Sequence, residues 1–296
     1  MPSDELLLLA ASRPFQPAPR EYRGNMCGVR IPGLSSVPGG AADASLVLSW
    51  FYDRYSDADR ALIRDVWKRA GYVDVLLSWP DSRVYGRTPE QFGATCRELI
   101  DAGFYPCPML YSKDCDPRDT AGILANIAPV LPQIVGVVPR VCIGWELSIA
   151  LSPTTVQGLI DALAPTFLAY GCKVYVHFQG GYFAFQQDGG VTADFWHANV
   201  GKLTGILHQR DLNDRPDDKA NYQARIVDCL QRFAGQFGFP TDSGFGHPFD
   251  FIALEITAQP QFNGQMSEAD GDAWGRTALN TPPVSGVAVM GSGNGF

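Results

Sequence analysis

The amino-acid sequence predicts an α/β protein in which eight parallel strands close into a (β/α)8 barrel. Eight short stretches rich in aliphatic and β-branched residues recur along the chain, and segments with helical spacing separate most of them. The chain has 296 residues, 46% hydrophobic and 18% charged, so it can bury one large core, and a barrel of about 250 residues would use most of it. We therefore expect one barrel domain over residues 24–296 and an N-terminal arm over residues 1–23.

The predicted strands are short apolar runs, each bounded by turn-forming residues or by the end of a helical segment. They cover residues 25–31 (NMCGVRI), 72–79 (YVDVLLSW), 104–111 (FYPCPMLY), 140–146 (RVCIGWE), 173–179 (KVYVHFQ), 202–209 (KLTGILHQ), 250–256 (DFIALEI) and 284–291 (VSGVAVMG).

Four segments between these strands carry helix start and stop signals. Residues 56–71 begin with a serine and end with a glycine, residues 88–103 begin with Thr-Pro and end with a glycine, and residues 152–171 and 221–238 repeat the plan. Each is followed closely by the next strand, which indicates parallel β/α units. An open, doubly wound sheet is the alternative, but no G-x-G-x-x-G follows the first strand, so dinucleotide binding loses its usual support.

The two ends of the chain depart from a regular barrel. Only GSGNGF follows the eighth predicted strand, so the usual last helix is missing. An uncovered barrel wall would expose apolar surface, so we expect residues 6–11 of the arm to pack between the first and last strands or against a neighbouring chain. The Pro-rich piece RPFQPAPREY is typical of a semi-rigid connector.

Composition and charge narrow the function classes. The formal charge of -8 argues against a binder of nucleic acid or anionic membranes, because both want a basic face, and it suits a carbohydrate or a small neutral or cationic ligand. Seven cysteines without a C-x-x-C pair indicate buried free thiols, and we expect no metal and no cofactor. With no basic leader and no run of about 20 apolar residues, we expect a soluble protein, made and folded in the cytoplasm without a signal peptide.

Two glutamates stand out at the ends of predicted strands. Glu146 follows VCIGW in the fourth unit and Glu255 follows FIAL in the seventh, and in a barrel the C-terminal strand ends meet at one mouth. Two carboxylates at one site can have their pKa values pushed apart, so that one works as an acid and the other as a base or nucleophile. Glycoside hydrolases use such a pair of carboxyl groups. The alternative is that each glutamate forms a salt bridge or caps a helix.

This arrangement resembles the clan of retaining (β/α)8 glycosidases, which includes cellulase-like and β-galactosidase-like enzymes. In that clan the acid/base glutamate ends the fourth strand and the nucleophile ends the seventh, so the resemblance implies Glu146 as acid/base and Glu255 as nucleophile. The clan usually has an asparagine directly before the acid/base, where it contacts the sugar 2-hydroxyl. Here Trp145 occupies that place.

Other polar and aromatic residues at the strand ends predict a sugar-binding surface. Flat rings stack on the apolar faces of sugars, while polar groups bind hydroxyls. A metal site of His177 and His208 with Glu255 is a less favoured alternative, and the H-x-H of metal-dependent barrel hydrolases is absent from GVRIPG. The predicted substrate-binding residues are Arg30, Trp79, Asp81, Tyr111, Trp145, His177, Gln179, His208 and Arg210.

The sequence thus favours a glycoside hydrolase that acts on a polysaccharide or cell-surface glycan through a two-glutamate retaining mechanism. The alternative is a non-catalytic carbohydrate-binding or structural barrel in a phage tail or virion, with an assembly partner at the N-terminal arm. The arm, the missing export signal and Trp145 motivate that alternative, since phage proteins reach external glycans by lysis of the host.

Overall fold

A computed structural model describes residues 24–30, 46–69, 73–79, 87–110, 116, 118–144, 153–179, 195, 198–209, 250–254 and 284–290. The predicted N-terminal arm and the helix predicted at residues 221–238 lie outside these ranges. In this part of the chain the strands are β1 (Gly24–Arg30), β2 (Leu46–Leu48), β3 (Asp74–Trp79), β4 (Tyr105–Leu110), β5 (Arg140–Ile143), β6 (Lys173–Gln179), β7 (Gly205–Gln209), β8 (Asp250–Leu254) and β9 (Val284–Met290).

Helices lie between many of the strands along the chain. The α-helices described are α1 (Asp57–Arg69), α2 (Pro89–Asp101), α3 (Thr120–Ile127), the single turn α4 (Leu131–Ile134) and α5 (Pro153–Leu168). Two 3-10 helices, Ser49–Arg54 and Ala128–Val130, precede α1 and α4. Helices were expected over residues 56–71, 88–103 and 152–171, and α1, α2 and α5 confirm them.

The sheet is parallel apart from one short strand. β1 pairs with β3, each strand from β3 to β9 pairs with the next, and β1 also pairs with β9. All eight predicted strands are confirmed, with ends shifted by at most three residues. The sequence prediction missed β2, which pairs antiparallel with β1. Three residues in a Gly- and Ser-rich stretch are too few to show the alternating pattern of a strand.

The two faces of this sheet differ in chemistry. Trp79 lies against the helices, its ring centroid 5.3 Å from that of Phe92 in α2. Because side chains alternate along a strand, Val75 and Leu77 share that apolar face. The opposite face is more polar, and its buried members include Asp74, Ser78, Cys107, Arg140, Cys142, Tyr175 and His177.

Local hydrogen bonds explain where the helices begin. The Thr88 side chain accepts from the N–H of Gln91 at 3.2 Å, and the Gln91 side chain accepts from the N–H of Thr88 at 2.9 Å, forming a capping box at α2. Ser56 caps α1 by accepting from the N–H of Asp59 at 3.2 Å. After α2 the chain turns at Gly103, whose φ of 88° lies in the left-handed region.

Replacing the Thr88 cap tests this local account. Thr88→Ala leaves an N–H at the start of α2 without its acceptor, so we expect a loss of about 1 kcal/mol in the free energy of unfolding. Urea denaturation measures it. Thr154→Ala, which removes the same atoms from an exposed position in the first turn of α5, is the control. Equal losses for the two variants would contradict the capping role.

An aromatic and ionic cluster joins α1 to α2. Trp67 stacks on Tyr52 at 5.5 Å and meets the edge of Phe104 at 5.9 Å, and all three rings are buried. The Tyr52 hydroxyl donates to Glu98 Oε1 at 2.8 Å, and Arg64 contacts both groups. Burial raises the pKa of Tyr52, so its hydroxyl stays protonated and remains a donor. The cluster fixes the 3-10 helix that follows β2.

Candidate functional site at the C-terminal edge

The C-terminal ends of the eight parallel strands lie along one edge of the sheet, where the sequence predicts the site. Arg30, Trp79 and Gln179 are the last residues of β1, β3 and β6, and His177 and His208 lie within β6 and β7. The remaining predicted site residues lie outside the described part of the chain, shortly after strands that the structure describes. They are Glu146, Glu255, Asp81, Tyr111, Trp145 and Arg210.

Trp79 is anchored on the helix side of β3. It is 7% exposed, and its indole N–H donates to the Asn126 carbonyl in α3 at 3.4 Å while the ring packs on Phe92. These contacts give the ring a packing role between the sheet and the helices. Sugar binding by Trp79 stays a prediction.

His177 is fully buried, two residues before the end of β6. Its backbone is level with Leu207 of β7 and Ile252 of β8, whereas His208 lies in the next row, level with Phe178 and Ala253. Sugar binding by His177 and His208 stays a prediction.

A glycine follows β5, two residues before the candidate acid/base. Gly144 has φ of 85°, a conformation that side chains with a Cβ rarely adopt, and its N–H donates to the Leu110 carbonyl at 2.8 Å. Hydrogen bonding between β4 and β5 therefore extends one residue beyond Ile143, and at Gly144 the backbone bends out of the extended strand conformation. Gly144 inside CIGW is the sequence signal, because a glycine within a strand pattern often marks such a bend.

A buried ion pair stands at the C-terminal end of β3, and sequence analysis missed it. Arg87 Nε donates to Asp53 Oδ2 at 2.7 Å, its Nη2 donates to Asp53 Oδ1, and its Nη1 donates to the Ser78 carbonyl at 3.1 Å. The Arg87 and Asp53 side chains are 4% and 12% exposed. The guanidinium also lies 5.5 Å from the centre of the Phe92 ring. No local pattern reveals the pair, because Asp53 lies in the 3-10 helix Ser49–Arg54 and Arg87 lies just before α2.

The four cysteines whose side chains the structure describes do not provide a nucleophile. Cys96, Cys107, Cys142 and Cys172 are free and buried, which confirms the predicted buried thiols for these four. Burial raises their pKa values, to about 12 for Cys96 and Cys172. They therefore stay protonated at neutral pH and react slowly.

The described residues contain neither a metal-binding cluster nor a membrane span. Within these ranges, no three His, Cys, Asp or Glu side chains are grouped as a metal ion would need. Similarly, none of the helices described has the length and apolarity of a membrane span.

Comparison with known proteins gives a likeness of fold. No family model and no curated protein sequence matches the chain. Among solved structures, the catalytic domain of a hyperthermophilic chitinase from Pyrococcus furiosus is similar, with a TM-score of 0.54, 10% identity, and coverage of 93% of this chain and 85% of that one. A family 51 α-L-arabinofuranosidase from Bifidobacterium longum is also similar, with a TM-score of 0.53, 12% identity, and coverage of 93% of this chain and 67% of that one.

A third similar structure is a Bacteroides thetaiotaomicron protein provisionally assigned as an α-L-fucosidase. Its TM-score is 0.56 at 9% identity, and the match covers 90% of this chain and 89% of that one. All three resemble this chain across most of its length at low identity. The chain therefore has a parallel sheet with helices of the kind found in TIM-barrel glycoside hydrolases.

Proposed function

We propose that this chain is a glycoside hydrolase that cleaves a polysaccharide or cell-surface glycan, with Glu146 as acid/base and Glu255 as nucleophile. One observation carries the proposal. β5 and β8, after which these glutamates follow in the chain, are the fourth and seventh of the eight parallel strands. That order matches the clan of retaining barrel glycosidases that the sequence resembles.

We further propose that the parallel strands form a complete (β/α)8 barrel. The register supports closure: paired residues lead from Trp79 on β3 around the sheet to Val284 on β9. Val289, five residues later, is paired through Asn25 of β1 with Val75, four residues before Trp79. Allowing for the register shift beside Phe251, the strands are staggered by about eight residues around the ring, the shear of a TIM barrel.

The proposed chemistry divides between the two carboxyl groups. Glu146, kept protonated, would donate its proton to the leaving glycosidic oxygen while the Glu255 carboxylate attacks the anomeric carbon. Water then attacks the glycosyl-enzyme bond, Glu146 takes its proton, and Glu255 leaves as a carboxylate. This double displacement requires carboxyl groups about 5–5.5 Å apart.

The remaining predicted residues would bind the sugar or support the site. Residues at or just beyond the strand ends would contact hydroxyls and ring faces. Trp145, in place of the clan's asparagine, would offer a ring face instead of a hydrogen bond to the 2-hydroxyl. The net charge of -8 suits neutral glycans better than acidic ones.

A glycan panel with product analysis tests the proposal. We expect the purified chain to cleave at least one polysaccharide or oligosaccharide, and ¹H NMR of the first product to show retention of the anomeric configuration. Inversion would contradict the nucleophile role of Glu255. Binding without cleavage would instead support the carbohydrate-recognition alternative. If the chain neither binds nor cleaves any glycan, the hydrolase proposal and the carbohydrate-recognition alternative are both wrong.

A further inference from the structure

The pairing of β1 changes along its length. Through Gly24 and Asn25, β1 pairs with Asp74 and Val75 at the start of β3. Farther along, Cys27, Val29 and Arg30 pair with β2 instead. The other edge of β1 is occupied by β9. In the described register, β2 therefore takes the place of β3 beside the C-terminal half of β1.

β2 and the 3-10 helix after it, residues 46–54, form what we call the wedge. β2 lies beside the C-terminal half of β1, and the helical part of the wedge is fixed at two neighbouring residues. Tyr52 is held by the cluster of Trp67, Glu98 and Arg64, and Asp53 is held by Arg87.

Arg87 donates a hydrogen bond to β3 that a neighbouring strand would otherwise donate. The Val73 carbonyl accepts from the Tyr105 N–H of β4 at 2.7 Å, and successive carbonyls of a strand point to opposite neighbours. The Ser78 carbonyl, five residues later, therefore points to the β1 side, where it accepts from Arg87 at 3.1 Å. The guanidinium thus satisfies an acceptor that strand pairing with β1 leaves open, and it ties that acceptor to Asp53.

We propose that the wedge is a wall of the carbohydrate site between β1 and β3, and that the Asp53–Arg87 pair is the lock that positions it. The wall rests on the proposed function. In strand order it is separated from the ends of β5 and β8 by at least β4 on one side and β9 on the other, so it would contact sugar units away from the cleaved bond. The ligand it suits is an oligosaccharide of several units.

The test combines substrate length with amide exchange. Asp53→Asn removes the carboxylate that the Arg87 guanidinium contacts, and the milder Arg87→Lys keeps the positive charge but loses the bidentate contact. We expect both variants to raise KM and lower kcat/KM about tenfold or more on oligosaccharides of five or more units. The loss on a short aryl glycoside should be several-fold smaller. Hydrogen exchange over residues 46–54 should accelerate in the free protein.

Asp74→Asn is the matched control, because Asp74 belongs to a buried Asp–Arg pair at the opposite edge of the sheet. The wedge is not a wall of the site if Asp53→Asn and Arg87→Lys lose activity equally on long and short substrates. In that case their losses would follow the loss of stability, as those of Asp74→Asn do. Unchanged exchange over residues 46–54 would overturn the lock. If the wild-type chain neither cleaves nor binds glycans, the proposed function is wrong and the wall with it. Hydrogen exchange over residues 46–54 would then still test whether the Asp53–Arg87 pair positions the wedge.

Discussion

Glu255→Gln should abolish glycan cleavage, lowering kcat by at least about 10³-fold, while substrate still binds. The amide is nearly isosteric with the carboxylate but is too poor a nucleophile to form the glycosyl-enzyme intermediate. Glu146→Gln should lower kcat about 10²- to 10⁴-fold, because it removes proton transfer to the leaving group. Initial-rate kinetics on the best substrate of the glycan panel, with binding measured by calorimetry, separates the two effects.

The pH profile distinguishes the two roles. The acid must be protonated and the nucleophile ionised, so wild-type kcat/KM should fall on both sides of an optimum. Glu146→Gln should flatten the alkaline limb, since the group whose deprotonation causes that fall is gone. An aryl glycoside with a good leaving group should lose much less rate in this variant, because its departure needs little protonation.

Glu90→Gln provides the matched control, since Glu90 is an exposed carboxylate in the first turn of α2. It should leave kcat, KM and the pH profile unchanged. Full activity of Glu255→Gln would eliminate the two-glutamate mechanism even if the chain cleaves glycans. Equal pH profiles for wild type and Glu146→Gln would reassign the acid.

Much of the fold could be predicted because its signals are local. The parallel strands are apolar runs of four to seven residues, and α2 begins with a capping box whose partners, Thr88 and Gln91, are three positions apart. Alternation of strands and helices then restricts the topology to a few parallel arrangements. For this reason eight strands and three helices were predicted at nearly the right residues.

Features that depend on distant partners could not be predicted. Asp53 and Arg87 are 34 residues apart and Asp74 and Arg140 are 66 apart, so neither pair has a spacing that sequence inspection detects. The pattern that placed Trp79 at a strand end could not say which face its ring occupies. For the candidate site, the sequence supplied residue types and strand ends, whereas the ion pair beside β3 and the exchange of β3 for β2 come from the register.

Breaking the Asp74–Arg140 pair should produce the largest loss of stability that the structure predicts. Arg140 Nη1 lies 2.6 Å from Asp74 Oδ2, both side chains are less than 7% exposed, and the guanidinium is 5.1 Å from the centre of the Tyr105 ring. Breaking a buried ion pair by removing one of its members costs about 3–5 kcal/mol. We therefore expect Arg140→Met to lower the free energy of unfolding by this amount, measured by urea denaturation with a matched thermal scan.

Two comparisons make this prediction specific to the buried pair. The double variant Asp74→Asn with Arg140→Met should recover part of the loss, because it removes both charges of the pair, and the cycle of four proteins gives the coupling energy. Arg69→Met, which breaks an ion pair to Asp65 whose members are both more than 60% exposed, should cost less than about 1 kcal/mol. Asp74 and Arg140 begin β3 and β5, at the edge opposite the candidate site. Folded Arg140→Met should therefore keep its kcat/KM, and a loss of activity beyond the unfolded fraction would extend the functional site to this end of the sheet.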